Sequence, residues 1–469
     1  MKYLFLLFIL LPVVIKADFI SNSEAKQRAY FFYQRITGTP PDVSSSEFEE
    51  VWNLIEAGDE YAAALKVTES KNLINIKLKN FLKDWTNRAV NKNVNTNDML
   101  YLMLGLIRDG RDFREVLTTD DVYKLTLDGL KYTFPPNGEI SRVPGAVSPF
   151  LSYFDFESVG SYNIFQNKLS YNRVGSYEEI VYVNADNSLL NLDEFLTSGK
   201  RIVKHGDFVT NDNITFTLVD ASDRLYAKEK LAGVITTDHF ASEFFNAGTN
   251  RRATQYLFKN FLCMEFNELA DTTIDTQYVR RDVDRFPNGD IKTYLNFCVG
   301  CHAGQDRLGQ AFYYYDKYPN SDHLWFRDDQ SFISRGKNKL NKNVVFEDGF
   351  VVGENSQDTG LPKDMWSNLW SSGKNKDLGW SAESTWKSTK FENQGHAGVG
   401  VKDLGEYLSK SSMFNDCMAE RMWEMVCVNR NDEAFLSVKD QLSDFFANEN
   451  YNMKSLIAQV ATLCPYEVD

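Results

Sequence analysis

Apolar positions recur at helical spacing along much of this chain. Ala25, Ala29, Phe32 and Ile36 fall at steps of four, three and four, one face of a helix that Ser23 is placed to cap. Thr37-Gly38-Thr39-Pro40-Pro41 ends that helix, because glycine takes a left-handed stop and proline cannot continue. Ser44, with Glu47 three residues on, has the form of a capping box. Phe48, Val51, Trp52 and Ile55 give the next apolar face. Helical patterning is expected to continue to about residue 130 and includes the run Met99-Leu100-Tyr101-Leu102-Met103-Leu104.

From about 131 to 222 the texture changes. Pro135-Pro136-Asn137-Gly138 signals a turn, and short β-branched runs such as Ile180-Val181-Tyr182-Val183 and Ile214-Thr215-Phe216-Thr217-Leu218 lie between polar clusters. Helix is expected again from near Ala227, through the runs at Phe240 and Arg252, and once more from Asp403 onward; residues 317–395 are polar and loop-rich. The pattern predicts a mainly α protein. It has a helical N-terminal domain over 18–130, an irregular α/β insertion with a few short strands over 131–222, and a helical domain over 223–469.

The first residues read differently. One lysine, an apolar core from Leu4 to Ile15 and a small residue at Ala17 form a secretory signal peptide over 1–17, too short to span a bilayer. The mature chain, starting at Asp18, is expected to be exported, to the periplasm, without a membrane span. A formal charge of −14 with no basic cluster argues against nucleic acid and anionic lipid as partners. Hydrophobic residues at 43% and aromatic residues at 14% are enough to build substantial cores, which excludes a disordered chain.

Phe297-Cys298-Val299-Gly300-Cys301-His302 changes the picture most. On a helix, residues three apart face the same way, so both thiols of Cys298-x-x-Cys301 reach the two vinyl groups of one haem, and the adjacent His302 offers its imidazole to the iron as proximal ligand. A zinc site needs a second ligand pair at metal spacing, and His323 and His396 lie far apart. A thioredoxin-like pair belongs after a strand, whereas this region reads as helix and loop. A short-range disulfide leaves His302 without a purpose. One covalent haem c is the expected cofactor. The remaining Cys263, Cys417, Cys427 and Cys464 can form two disulfides in an oxidising compartment, in any of three pairings.

Residues 224–469 also resemble the planctomycete-type cytochrome c proteins, exported bacterial chains built around a single haem motif. The likeness rests on Gly233-Val234-Ile235-Thr236-Thr237 with Phe240 and the stretch from Arg251 to Phe261-Leu262-Cys263. It rests also on Cys301-His302-Ala303 with Asp306, Leu308-Gly309, Ala311 and Asp316, and on Asp403-Leu404, Leu408, Met413-Phe414 and Cys417. Upstream, residues 35–41 and 113–118 are similar to the helical N-terminal modules of the same proteins. Arg307 departs from the proline usual at that place, and Met264 departs from the proline common after Cys263. The resemblance implies a mostly helical, haem-bearing periplasmic protein.

Candidates for the distal iron ligand are Met365, His396, Met413 and Met418. Met413 and Met418 share a stripe with Met422 and Met425 that also reads as core, and His396 lies in a glycine-rich loop. The leading expectation is a monohaem cytochrome passing electrons to a redox partner protein, with electron transfer favoured over catalysis. An exported structural or partner-binding scaffold with an accessory haem is the alternative, followed by a haem enzyme with an open iron site.

Overall fold

Helix α1 (Glu24–Thr37) buries Ala29, Phe32 and Ile36 completely, the face that the spacing predicts, and Gly38 follows it at φ +74°. The computed structural model describes residues 24–86, 98–125, 196–200, 206–207, 217–218, 231–245, 250–280, 283–317, 324–326, 344–345, 351–352, 362, 364–382, 395–427 and 432–466. The signal peptide expected over 1–17 and the cap expected at Ser23 lie outside the described residues.

The cap of α2 (Ser46–Glu56) falls one residue later than the sequence suggests. Asp42 accepts both the backbone N–H of Ser44 (3.0 Å) and its hydroxyl (2.6 Å), and Ser45 accepts the N–H of Phe48 at 3.1 Å. Two further helices, α3 (Glu60–Val67) and α4 (Lys79–Trp85), lead to α5 (Asp98–Arg108), where every residue from Met99 to Leu104 is buried. A helix buried all round belongs in the middle of a core.

The expectation of helix to residue 130 fails beyond α5. A 3-10 turn (Phe113–Leu117) precedes strand β1 (Asp121–Leu125), which pairs antiparallel with β2 (Leu196–Lys200). The cause is tertiary. Gly105 of α5 leaves a groove for the ring of Tyr123, where an added Cβ would lie 2.0 Å from that ring, and the Tyr123 hydroxyl donates to Asp109 at 2.7 Å. Of the segment 131–222, the described residues are β2 and the short strands β3 (Gly206–Asp207) and β4 (Thr217–Leu218). The runs at 135–138, 180–183 and 214–216, and the helical start near Ala227, lie outside them.

Helices α6 (Asp238–Phe244) and α7 (Arg251–Phe261) follow where the pattern places them. Next comes α8 (Val299–Leu308). Four helices close the chain: α9 (Gly400–Ser409), α10 (Ser412–Val426), α11 (Asp432–Asn448) and α12 (Met453–Leu463). The fold is mainly α, with strands confined among the described residues to two-stranded antiparallel ladders.

One hydrophobic core takes in side chains from Ala29 near the start to Cys464 near the end. Arg28 of α1 stitches those ends together, donating to Glu60 at 3.0 Å and to the Thr462 carbonyl at 2.9 Å. Two disulfides reinforce the closure. Cys263, just after α7, joins Cys417 of α10, and Cys427, capping α10, joins Cys464, capping α12. Among the described residues no helix is long and apolar enough to cross a membrane.

Candidate functional site

The Cys298-x-x-Cys301-His302 motif sits within a continuous helical stretch over 291–308. Asp290 caps its start by accepting the N–H of Lys292 at 2.8 Å, a π-helical turn follows at Tyr294–Cys298, and α8 completes it. The π turn adds a residue to one turn just ahead of the motif and so resets which side chains face outward; such turns are frequent at functional sites.

Two glycines seat α8. The Gly300 carbonyl accepts the Asp271 N–H at 3.2 Å and the Trp370 indole N–H at 3.2 Å. A Cβ on Gly300 would lie 2.9 Å from the Asp271 nitrogen, and one on Gly304 would lie 2.2 Å from the Trp370 ring. Close approach of backbone and indole is the reason for glycine at both places. Gly304→Ala is expected to destabilise the protein by about 1–3 kcal/mol through overpacking against Trp370, read as a lower urea midpoint at unchanged slope.

The rest of the helix is buried. Val299 and Ala303 pack with Val279, Tyr294 and Leu369, while Leu308 enters the main core. Arg307 stays inside the helix, 1% exposed, with its guanidinium over the Tyr278 ring at 5.3 Å. From Val299 to Leu308, the two residues that are not buried are Cys301 and His302, and Cys298 just before them is half-buried. Three large apolar side chains are exposed earlier in the helical stretch, Ile291, Leu295 and Phe297. Phe297 is 74% exposed, a large apolar surface to leave in water.

Chemistry is concentrated at the same place. Cys298 and Cys301 are free thiols, whereas the other four cysteines are paired. Cys301 Sγ lies 3.3 Å from the Phe266 carbonyl, and burial, with the neighbouring Cys298, raises its pKa. The His302 side chain is 26% exposed, but its Nδ1 is buried and faces Asp306 Oδ1 at 3.7 Å. Asp306 has no exposed side-chain surface; its Oδ1 accepts Arg251 Nε at 2.6 Å and its Oδ2 accepts the backbone N–H of Arg280 at 3.1 Å. Burial pushes the Asp306 carboxyl up, but His302 and Arg251 outweigh it and hold it at about 2.

The four candidate distal ligands stand on other elements. Met413 and Met418 are buried in α10, and Met365 is buried in strand β5 (Met365–Asn368). His396 is not in a loop. It opens β6 (His396–Val399), which pairs antiparallel with β5, and its Nδ1 lies 2.9 Å from the Tyr407 hydroxyl. The glycines there serve packing: a Cβ on Gly398 would lie 2.4 Å from the Trp366 ring. Among the described residues, no group of three or more His, Cys, Asp and Glu side chains is arranged to hold a metal ion. Iron inside a porphyrin asks less of the protein, since the macrocycle fills four positions and one imidazole suffices as proximal ligand.

The donor set suits haem c. Two unpaired thiols and one imidazole share the open strip of an otherwise buried helix, and the apolar side chains alongside match an apolar macrocycle. The sequence pattern missed Asp306, Arg251 and Arg280 as parts of the site. Two signals were available: Asp306 and Arg251 both fall within the family resemblance, and the four-residue step from His302 to Asp306 places both on one helical face. Comparison with family models, with curated proteins and with solved structures returned no match to this chain.

Proposed function

We propose that this chain is an exported monohaem c-type cytochrome that exchanges single electrons with a redox partner protein in the periplasm. One observation carries the reading: Cys298, Cys301 and His302 form the open strip of a helix whose other residues from Val299 to Leu308 are buried. Three groups that the chemistry requires together lie within five residues of one helical stretch, and neither thiol is taken up in a disulfide. Haem held there supplies a one-electron iron couple. The chain's part is to bind the macrocycle through Cys298 and Cys301, to present the His302 imidazole, and to shield one side with the exposed apolar side chains at 291–297.

Further support comes from the disulfides Cys263–Cys417 and Cys427–Cys464, which fit an oxidising compartment outside the cytoplasm. The resemblance of residues 224–469 to planctomycete-type cytochrome c proteins points the same way.

The full chain, produced with its leader in a bacterial host that has haem-attachment machinery, tests the proposal. Haem stain should survive a denaturing gel, and the visible spectrum should change reversibly between oxidant and reductant. A polypeptide without added macrocycle would refute the cytochrome reading. A second reading, a scaffold with an accessory haem, draws on the main core that reaches from Ala29 to Cys464, far beyond one haem helix. Attached haem that shows no redox change at accessible potentials would favour it. Carbon monoxide binding by the reduced protein would instead indicate an open iron site.

A further inference from the structure

We infer that Asp306 is a positioning residue that makes His302 a more electron-donating iron ligand than a neutral imidazole, lowering the reduction potential of the haem. The inference rests on the cytochrome reading above and adds what sets that centre's potential. The His302 ring has its Nδ1 edge buried, without a hydrogen-bond partner at ordinary distance, and the acceptor facing it is Asp306 Oδ1 at 3.7 Å. A small rotation of the imidazole closes that gap.

Asp306 is well fixed for the task. Its side chain has no exposed surface, Arg251 Nε binds Oδ1 at 2.6 Å, and the Arg280 N–H binds Oδ2 at 3.1 Å. Its charge is therefore held in place by a partner on α7 and a backbone donor. A ligating histidine whose second ring nitrogen donates to a carboxylate is locked in one tautomer, turned so that its other nitrogen meets the metal, and made more basic. Greater basicity stabilises ferric over ferrous iron.

Potentiometric titration of the full, haem-loaded chain tests this, with Asp306→Asn and Asp306→Glu beside the unaltered protein. Asp306→Asn keeps the shape and removes the charge. At the unaltered protein's midpoint its ferrous-to-ferric ratio should rise about tenfold, a shift of about 59 mV for one electron. Asp306→Glu, which keeps the carboxylate, should restore most of the difference. Should Asp306→Asn fail to fold, pairing it with Arg251→Gln removes the guanidinium together with the carboxylate it binds, and a smaller rise is expected because a positive charge is lost as well. An attached haem that titrates at the unaltered potential in whichever of these neutral variants folds would overturn the inference while leaving the cytochrome reading intact. Absence of haem from the unaltered chain would overturn both.

Discussion

A chain carrying Cys298→Ala together with Cys301→Ala should retain its fold and lose covalent haem entirely. Neither thiol belongs to a disulfide, and both lie on the open strip of the helical stretch at 291–308. Cys301 also packs against the main core, so removing the two sulfurs costs about 1 kcal/mol, typical of a single modest substitution. Unfolding by urea should therefore move little, while haem stain on a denaturing gel disappears. His302→Ala makes a separate case: it leaves both thiols in place and removes the proposed iron ligand, so any haem that attaches should show a spectrum without proximal imidazole. Haem stain of undiminished intensity in the double-cysteine variant would place attachment elsewhere and sink the proposed site.

Loss of the Cys263–Cys417 disulfide should have the largest effect on stability. Its cysteines are 154 residues apart, against 37 for Cys427–Cys464. The chain-entropy relation assigns about 5 kcal/mol to the first closure and about 4 kcal/mol to the second, because the unfolded chain regains more freedom when a longer loop opens. The first is comparable with the whole net stability of many domains, about 5–15 kcal/mol. A Cys263→Ala, Cys417→Ala variant should therefore unfold at a lower urea concentration than a Cys427→Ala, Cys464→Ala variant, by about 1 kcal/mol of stability, and both should lie below the unaltered chain. Equal midpoints for the two variants would show that loop length does not govern the effect. Reductant alone should reproduce the combined loss without touching haem held by thioether bonds.

These two expectations differ in how readable they were. The proposed haem motif is local: thiols three residues apart and an adjacent imidazole lie on one turn whatever the rest of the chain does, so Cys298, Cys301 and His302 stand out in the sequence. The disulfide partners are not local. Four cysteines allow three pairings, and the choice depends on how α7, α10 and α12 meet.

The same division runs through the fold. Helical periodicity reports which face of a helix leaves water, and so Ala29, Phe32 and Ile36, or the run from Met99 to Leu104, were legible as core. Strand β1 was not, since its ladder is made with residues 196–200 and its seat with Gly105. The shift of a cap from Ser44 to Ser45 turned on one competing carboxylate, Asp42. Around the proposed site, the sequence by itself singled out Cys298, Cys301 and His302 and the helix that carries them. Only the tertiary structure decided what stands behind His302, because Arg251 and the Arg280 N–H reach Asp306 from 55 and 26 residues away. Neighbours along a helix are set by its pitch. Contacts between distant segments are set by which surfaces bury together, and those appear only once the chain has closed on itself.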